Sequence, residues 1–287
     1  MAGRFAPSPT GPLHLGSLLA ATASHLEAHR RNTSWHLRFD DLDAPRAAPG
    51  AEDAIKRSLA DHGLHWDGQV GYQSQHAEAY AHALSRLAEM RVVFHCACSR
   101  RQLKDQAIYP GSCRSHHAPR ADTAIRVTVT DQPIKFEDSV QGPQICALAS
   151  STGDFIVRRR DGLVAYQLAT AIDDGDTVID HVVRGADLLD NTARQIYLME
   201  LLGLSIPTYA HVPVLTHADG VKLSKRTGAE PVRSEQAPAN LVNALTLLGL
   251  TPPDATQQWH CDEILDWAKN QWSLDHVPSV STLIGRN

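Results

Sequence analysis

RFAPSPTGPLHLGS, residues 4–17, sets three prolines, two glycines and a histidine directly ahead of an apolar helical run. In that run Leu18, Leu19, Ala23 and Leu26 recur at helical spacing, and residues 29–30 close it on a basic turn. A helix start needs one or two capping residues, so a loop this long carries more than a cap. Backbone N–H groups at a helix opening favour anions, and glycine lets a ligand approach the backbone closely. The pattern is neither G-x-x-x-x-G-K-[ST] nor G-x-G-x-x-G.

Outward from the loop, SWHLRF (34–39) alternates like a buried strand and ends at the acidic cluster DDLD (40–43). Residues 51–63 and 76–91 have helical patterns. Strand, helix, strand, helix predicts an α/β fold with a parallel sheet. Ligands of such sheets sit at the carboxyl ends of the strands, where the loop and DDLD both fall. Short β-like runs at 124–129, 134–136, 144–149 and 155–158 predict an inserted α+β subdomain with its own small sheet. Helices are expected at 166–172 and 189–203, and a strand at 211–215 leads into DGVKLSKR (219–226). Beyond it, prolines 238, 252, 253 and 278 break the chain into short helices.

The 287 residues are 43% hydrophobic, enough for one large domain or two moderate ones. A net charge of −5 argues against bulk, sequence-blind nucleic-acid binding, which needs a dense cationic surface. It leaves room for a local basic patch such as Arg158-Arg159-Arg160. No apolar stretch is long enough to span a bilayer, and no secretory leader precedes the loop, so a cytoplasmic protein is expected. Reduced cysteines there invite a metal or a core role. Cys96, Cys98 and Cys113 suggest a structural Zn²⁺, with His95, His116 or His117 as candidate fourth ligands on chemistry alone. Cys146 and Cys261 are expected in the core.

His14 and Gly16 in P-L-H-L-G, followed some 200 residues later by Lys222-Leu-Ser-Lys225-Arg226, form a pair that resembles the signature of class I aminoacyl-tRNA synthetases. RFDDLD, AYQLATAIDD (165–174) and HVVRGADLLDNTARQ (181–195) extend a resemblance to glutamyl-tRNA synthetases over about residues 3–230. Within that family, GLHWDG (63–68), DAPRAAPGA (43–51) and Cys-x-Cys…Tyr-x-x-x-Cys are most similar to shortened paralogues that attach glutamate to queuosine in the anticodon of tRNA(Asp).

The resemblance implies a Rossmann-type catalytic domain in two halves, 1–91 and 166–230. A zinc-containing insertion, similar to an acceptor-binding subdomain, would occupy 92–165, and a short helical region 231–287. It implies attack of a glutamate α-carboxylate on the α-phosphorus of ATP. His14 and Lys225 are the implied catalytic residues, and Thr10, His14, Gly16, Lys222, Ser224 and Lys225 the ATP site, with Mg²⁺ accompanying the nucleotide. Arg4, Phe5, Ala6, Pro7, Ser8, Asp40, Tyr166 and Arg184 are the implied glutamate pocket. The family has Glu where this chain has Asp40, which shortens the reach toward the ammonium by about 1.5 Å, one carbon–carbon bond. For zinc, the resemblance nominates Tyr109 beside Cys96, Cys98 and Cys113. About 60 residues follow Arg226, too few for the anticodon-reading domain of a full synthetase. The expected partners are thus queuosine-bearing tRNA(Asp), L-glutamate and ATP, and the expected state is a monomer. The alternatives are a truncated synthetase charging the 3′ end of tRNA(Glu) and a non-catalytic tRNA-binding paralogue.

Overall fold

Strand β1 (Ala2–Phe5) is buried along its whole length and runs straight into the proline-rich loop. The structure, a computed structural model, describes residues 1–175, 179–217, 219–223 and 229–285. In chain order β1 is followed by α1 (Leu15–Arg30), β2 (Ser34–Phe39), α2 (Ala51–Asp61), β3 (Gly71–Tyr72), α3 (Ala77–Glu89) and β4 (Val93–Cys96). Next come β5 (Ala124–Val127), β6 (Ile134–Asp138), β7 (Gly142–Cys146), the short α4 (Leu148–Ser151) and β8 (Phe155–Arg158). Then follow α5 (Tyr166–Gly175), β9 (His181–Gly185), α6 (Leu189–Leu202), β10 (Thr208–Val212) and β11 (Val214–Thr216). Helices α7 (Ala237–Leu247) and α8 (Cys261–Gln271) and strand β12 (Thr282–Ile284) complete the chain.

β1 pairs in parallel with β2, and β2 with β3. On its other side β1 meets the segment entering β9 through a parallel bridge from Ala2 to Ile179, and β9 pairs in parallel with β10. The spatial order β3-β2-β1-β9-β10 is the expected parallel sheet, its central strands buried and apolar. The carboxyl ends of β1, β2 and β9 open on one edge, and the functional loops gather there. Helix α1 has buried residues on every side because it lies between this sheet and α7 and α8. Its Leu18, Leu19 and Leu26 share one core with Leu241, Leu245 and Ile264. A second core under α3, α5 and α6 joins Tyr80, Leu87, Leu168 and Met199.

The four β-like runs of the inserted region part company. Residues 124–127 and 155–158 form an antiparallel sheet in the order β4-β5-β8. The β6–β7 hairpin instead joins the main sheet, with Tyr209 of β10 opposite Asp138 of β6. An edge-to-face contact of Phe136 with Tyr209, centroids 6.0 Å apart, and the buried Asp138 carboxylate hold it there. Period-two alternation marks a strand but not the sheet it joins. Cys146 and Cys261 are half-buried at the edges of the two cores rather than inside them.

Candidate functional site

β1 delivers Arg4 and Phe5 to the sheet edge, and the chain then turns through the loop before α1. The Asp40 N–H donates to Pro7 O at 3.1 Å and the Ala48 N–H to Pro9 O at 2.9 Å, so the end of β2 and its following loop brace the prolines. His14 caps α1, its ring accepting from the Ser17 N–H at 3.3 Å. A Cβ on Gly16 would stand 3.2 Å from that ring, so glycine is what lets the imidazole lie along the first turn. Across the opening, His14 bridges Pro231, and the Val232 N–H donates to Leu13 O at 3.0 Å.

The loop borders a cavity of about 720 Å³. It is lined by Arg4, Phe5, Ala6, Pro7, Ser8, Thr10, His14, Gly16, Asp40, Tyr166, Arg184 and Lys222, twelve residues singled out from the sequence. Ser224 and Lys225 lie outside the described residues. Lys222 sits in a hairpin arm paired with Thr216, and its ammonium meets Asp187 at 2.5 Å. A Cβ on Gly185 would come within 2.6 Å of the same Asp187 carboxylate and would displace it from its present position.

Sequence reasoning did not find the ion network under this floor. Asp174, buried at the end of α5, takes Arg4 through Nε at 3.2 Å and Nη2 at 2.9 Å, and Arg38 Nη1 at 2.7 Å. Burial alone would push its carboxyl up, but the Arg4 and Arg38 guanidiniums outweigh that and hold it well below the usual carboxylate range. Arg38 Nε also donates to Asp40 at 2.9 Å. For Asp40 the balance tips the other way: burial wins over Arg38 and pushes its carboxyl up to about 6. The neighbouring Asp173 turns outward to Gln73 Nε2, His76 Nδ1 and the Tyr80 hydroxyl, at 2.7, 2.8 and 2.8 Å. One signal was present: two consecutive acids at the C-terminal end of a helix oppose its dipole and call for cationic partners.

A second arrangement orients Arg184. Its Nη2 donates to Thr192 Oγ1 at 2.8 Å and Gln195 Oε1 at 2.7 Å, and its Nε to His211 Nε2 at 3.0 Å. Nη1 is buried and has no hydrogen-bond partner among the described residues. The site therefore offers two guanidiniums and a carboxylate on the side of β1, β2 and β9, and the helix start with His14 and Lys222 on the other. A dicarboxylic amino acid matches the first half and a polyphosphate the second.

Away from the cavity, the Cys96, Cys98 and Cys113 sulfurs lie within 4.8 Å of one another, a cluster able to hold a metal ion. The Tyr109 hydroxyl is 3.4 Å from Cys96 Sγ and 4.0 Å from Cys98 Sγ. The ring stacks on Phe94 and lies 4.1 Å beneath the Arg126 guanidinium. No described histidine joins the three sulfurs in that cluster; His95 Nδ1 lies 2.8 Å from Thr123 Oγ1, and His117 Nδ1 3.0 Å from Val93 O. His116 is bonded through its backbone, its carbonyl accepting from the His95 N–H at 2.7 Å. Of the arginine run, Arg160 donates to Ala97 O and Cys98 O at 2.8 and 3.3 Å and braces the cysteine loop. Arg159 pairs with Asp43 and Asp161.

Comparison with known proteins gives a consistent setting. The family model "tRNA synthetases class I (E and Q), catalytic domain" matches residues 1–281. A Glutamyl-Q tRNA(Asp) synthetase of Pseudomonas aeruginosa is 47% identical over 282 residues, covering 98% of this chain and 96% of the relative. One of Methylococcus capsulatus is 49% identical over 279 residues, covering 96% and 92%. In fold, the chain is similar to the glutamate-tRNA synthetase of Elizabethkingia anophelis, with a TM-score of 0.81 at 24% identity, over 98% of this chain and 67% of that one. No described helix is long and apolar enough to cross a membrane.

Proposed function

The chain belongs to the class I tRNA synthetases of the glutamate and glutamine branch, and on that premise we propose that it activates L-glutamate with ATP and transfers it to queuosine in the anticodon of tRNA(Asp). The observation that carries this reading is the convergence of Arg4, Arg184, Asp40, His14 and Lys222 on one cavity. The Arg184 Nη1 that has no partner among the described residues takes one substrate carboxylate, and Arg4, anchored through Nε and Nη2, turns Nη1 toward the other. Asp40 receives the ammonium, its ionised form favoured further by the incoming cation. A carboxylate oxygen then attacks the α-phosphorus, the bond to the β-phosphate bridging oxygen breaks, and pyrophosphate leaves. His14, the amides at the start of α1, Lys222 and Lys225 align the phosphates and offset the charge that gathers on them. Mg²⁺ accompanies ATP and supplies further charge neutralisation. A queuosine hydroxyl attacks the carbonyl of the adenylate and AMP departs.

The donor set of three thiols and a phenol suits Zn²⁺, with Cys96, Cys98, Cys113 and Tyr109 as ligands, and the ion would pin the 96–113 loop to β4. Purified protein should then contain one zinc per chain, and Tyr109→Phe should lower that content; undiminished zinc in that variant would return the fourth position to a histidine. The enzyme acts as a cytoplasmic monomer in this reading. Labelled glutamate offered with tRNA(Asp) bearing queuosine, tRNA(Asp) lacking it, and tRNA(Glu) tests the function. Transfer to the queuosine form alone is expected. Transfer to tRNA(Glu) would identify a truncated charging enzyme, and absence of adenylate a binding protein.

A further inference from the structure

Behind Arg184 lies a buried chain of polar groups that the reaction as described leaves without a task. His211 Nδ1 is 2.5 Å from Asp138 Oδ2, and His211 Nε2 is 3.0 Å from both Arg184 Nε and Thr192 Oγ1. Both His211 and Asp138 are essentially fully buried. A guanidinium N–H can only donate, so the Nε2 facing Arg184 must carry a lone pair. The single ring proton then sits on Nδ1, where the Asp138 carboxylate accepts it. With the other tautomer, two N–H groups would point at each other across 3.0 Å, too close for a water to lie between them.

We propose that Asp138 is a positioning residue for substrate binding: by fixing the His211 tautomer it holds the Arg184 guanidinium with Nη1 facing the glutamate carboxylate. The proposal rests on the reading of Arg184 as a glutamate contact. It gives the β6–β7 hairpin a part in the site, because that hairpin carries Asp138 into the sheet beside β10. It also provides Arg184 with a compensating anion that does not compete with substrate. Arg184 is buried with neutral donors and acceptors around it, and Asp138, one imidazole away, supplies the negative charge. A carboxylate in direct contact with Arg184 would occupy the nitrogens that the substrate needs.

Asp138 also has a structural duty, which its two oxygens separate. Oδ1 accepts from the backbone N–H groups of Val140, Gln141 and His211 at 3.0, 2.8 and 3.1 Å. Oδ2 alone meets the imidazole. Asp138→Asn can therefore keep its Oδ1 contacts while placing an NH₂ against His211 Nδ1, which reverses the tautomer. ATP–pyrophosphate exchange in this variant should show KM for glutamate raised about tenfold or more, the size of losing a hydrogen bond to a charged group. Its kcat and KM for ATP should stay within about threefold, since neither Asp138 nor His211 lines the cavity. Long-range ¹H–¹⁵N spectra of His211 should report the proton on Nδ1 in the unmodified protein and on Nε2 in the variant.

Unchanged KM for glutamate in a folded Asp138→Asn protein would overturn the proposal. So would a proton on His211 Nε2 in the unmodified protein, a measurement that stands even where the variant does not fold. Arg184→Ala separates the two layers. If Arg184→Ala leaves KM for glutamate unchanged, the substrate reading of Arg184 fails; if it raises KM while Asp138→Asn does not, only the positioning role fails.

Discussion

Asp40→Asn should make the fold more stable while it disables the site. Asp40 lies beside Arg38 in the floor of the cavity, its side chain 9% exposed, and burial raises its carboxyl from 3.8 to about 6 despite that partner. A buried acid whose folded pKa exceeds its unfolded one binds its proton more tightly when folded. Ionising it therefore costs stability as pH rises from about 4 through 6, and the full cost is present above 6. A little over two pH units at 1.36 kcal/mol each is about 3 kcal/mol at pH 8. Asparagine keeps an oxygen for Arg38 Nε and carries no charge to desolvate, so it should recover most of that sum. Urea unfolding of both proteins at pH 8, 6 and 4 checks this. The gain should be about 3 kcal/mol at pH 8, smaller at 6 and absent by 4. A gain independent of pH, or a loss at pH 8, would mean that attraction to Arg38 outweighs desolvation and would refute the reasoning. Exchange activity at low glutamate should fall in the same variant, because the ammonium loses its counter-ion.

Asp40→Glu should retain or improve ATP–pyrophosphate exchange, since it restores reach toward the ammonium; complete loss of exchange would count against the pocket assignment. Asp174→Asn removes the anion between Arg4 and Arg38 and should destabilise by about 3–5 kcal/mol, read as a shifted urea midpoint at pH 7. The Asp174 pKa is depressed in the fold, so that penalty is present above about pH 4 and fades as acid protonates the native carboxyl too. Gly16→Ala improves helix propensity by up to about 1 kcal/mol, yet its methyl would press on the His14 ring at 3.2 Å. Its melting temperature should hold or rise while kcat/KM for ATP falls; unchanged kinetics would detach His14 from the nucleotide.

The sequence made the cavity legible to the extent that its residues sit in local punctuation. Residues 4–16 announce themselves by prolines and glycines, and Arg184 and Lys222 lie in stretches that match family motifs. What stayed hidden was held by residues whose signal is long-range. Arg38 reads as one more position of an alternating strand until Asp174, far along the chain, is seen beside it. His211 reads as a strand residue until the hairpin bearing Asp138 docks on β10. The strand-like run at 134–136 shows its period but not its partner, so the small sheet expected from the sequence includes strands that the fold places beside β10. Cysteine spacing exposes the metal cluster, whereas that no described histidine joins the three sulfurs is visible only in the fold.

The pairing of β12 with β11 makes one wall of the cavity depend on a distant part of the chain. Val214, Leu215 and Thr216, the root of the arm that carries Lys222, find their parallel partners at residues 282–284. The Gly285 N–H closes on Thr216 O at 2.9 Å. A chain synthesised only as far as residue 281 already holds Arg4, Asp40 and Arg184 but lacks this support beneath the arm that carries Lys222. The placement of Lys222 is thus tied to residues 282–285, far along the chain from the loop it faces.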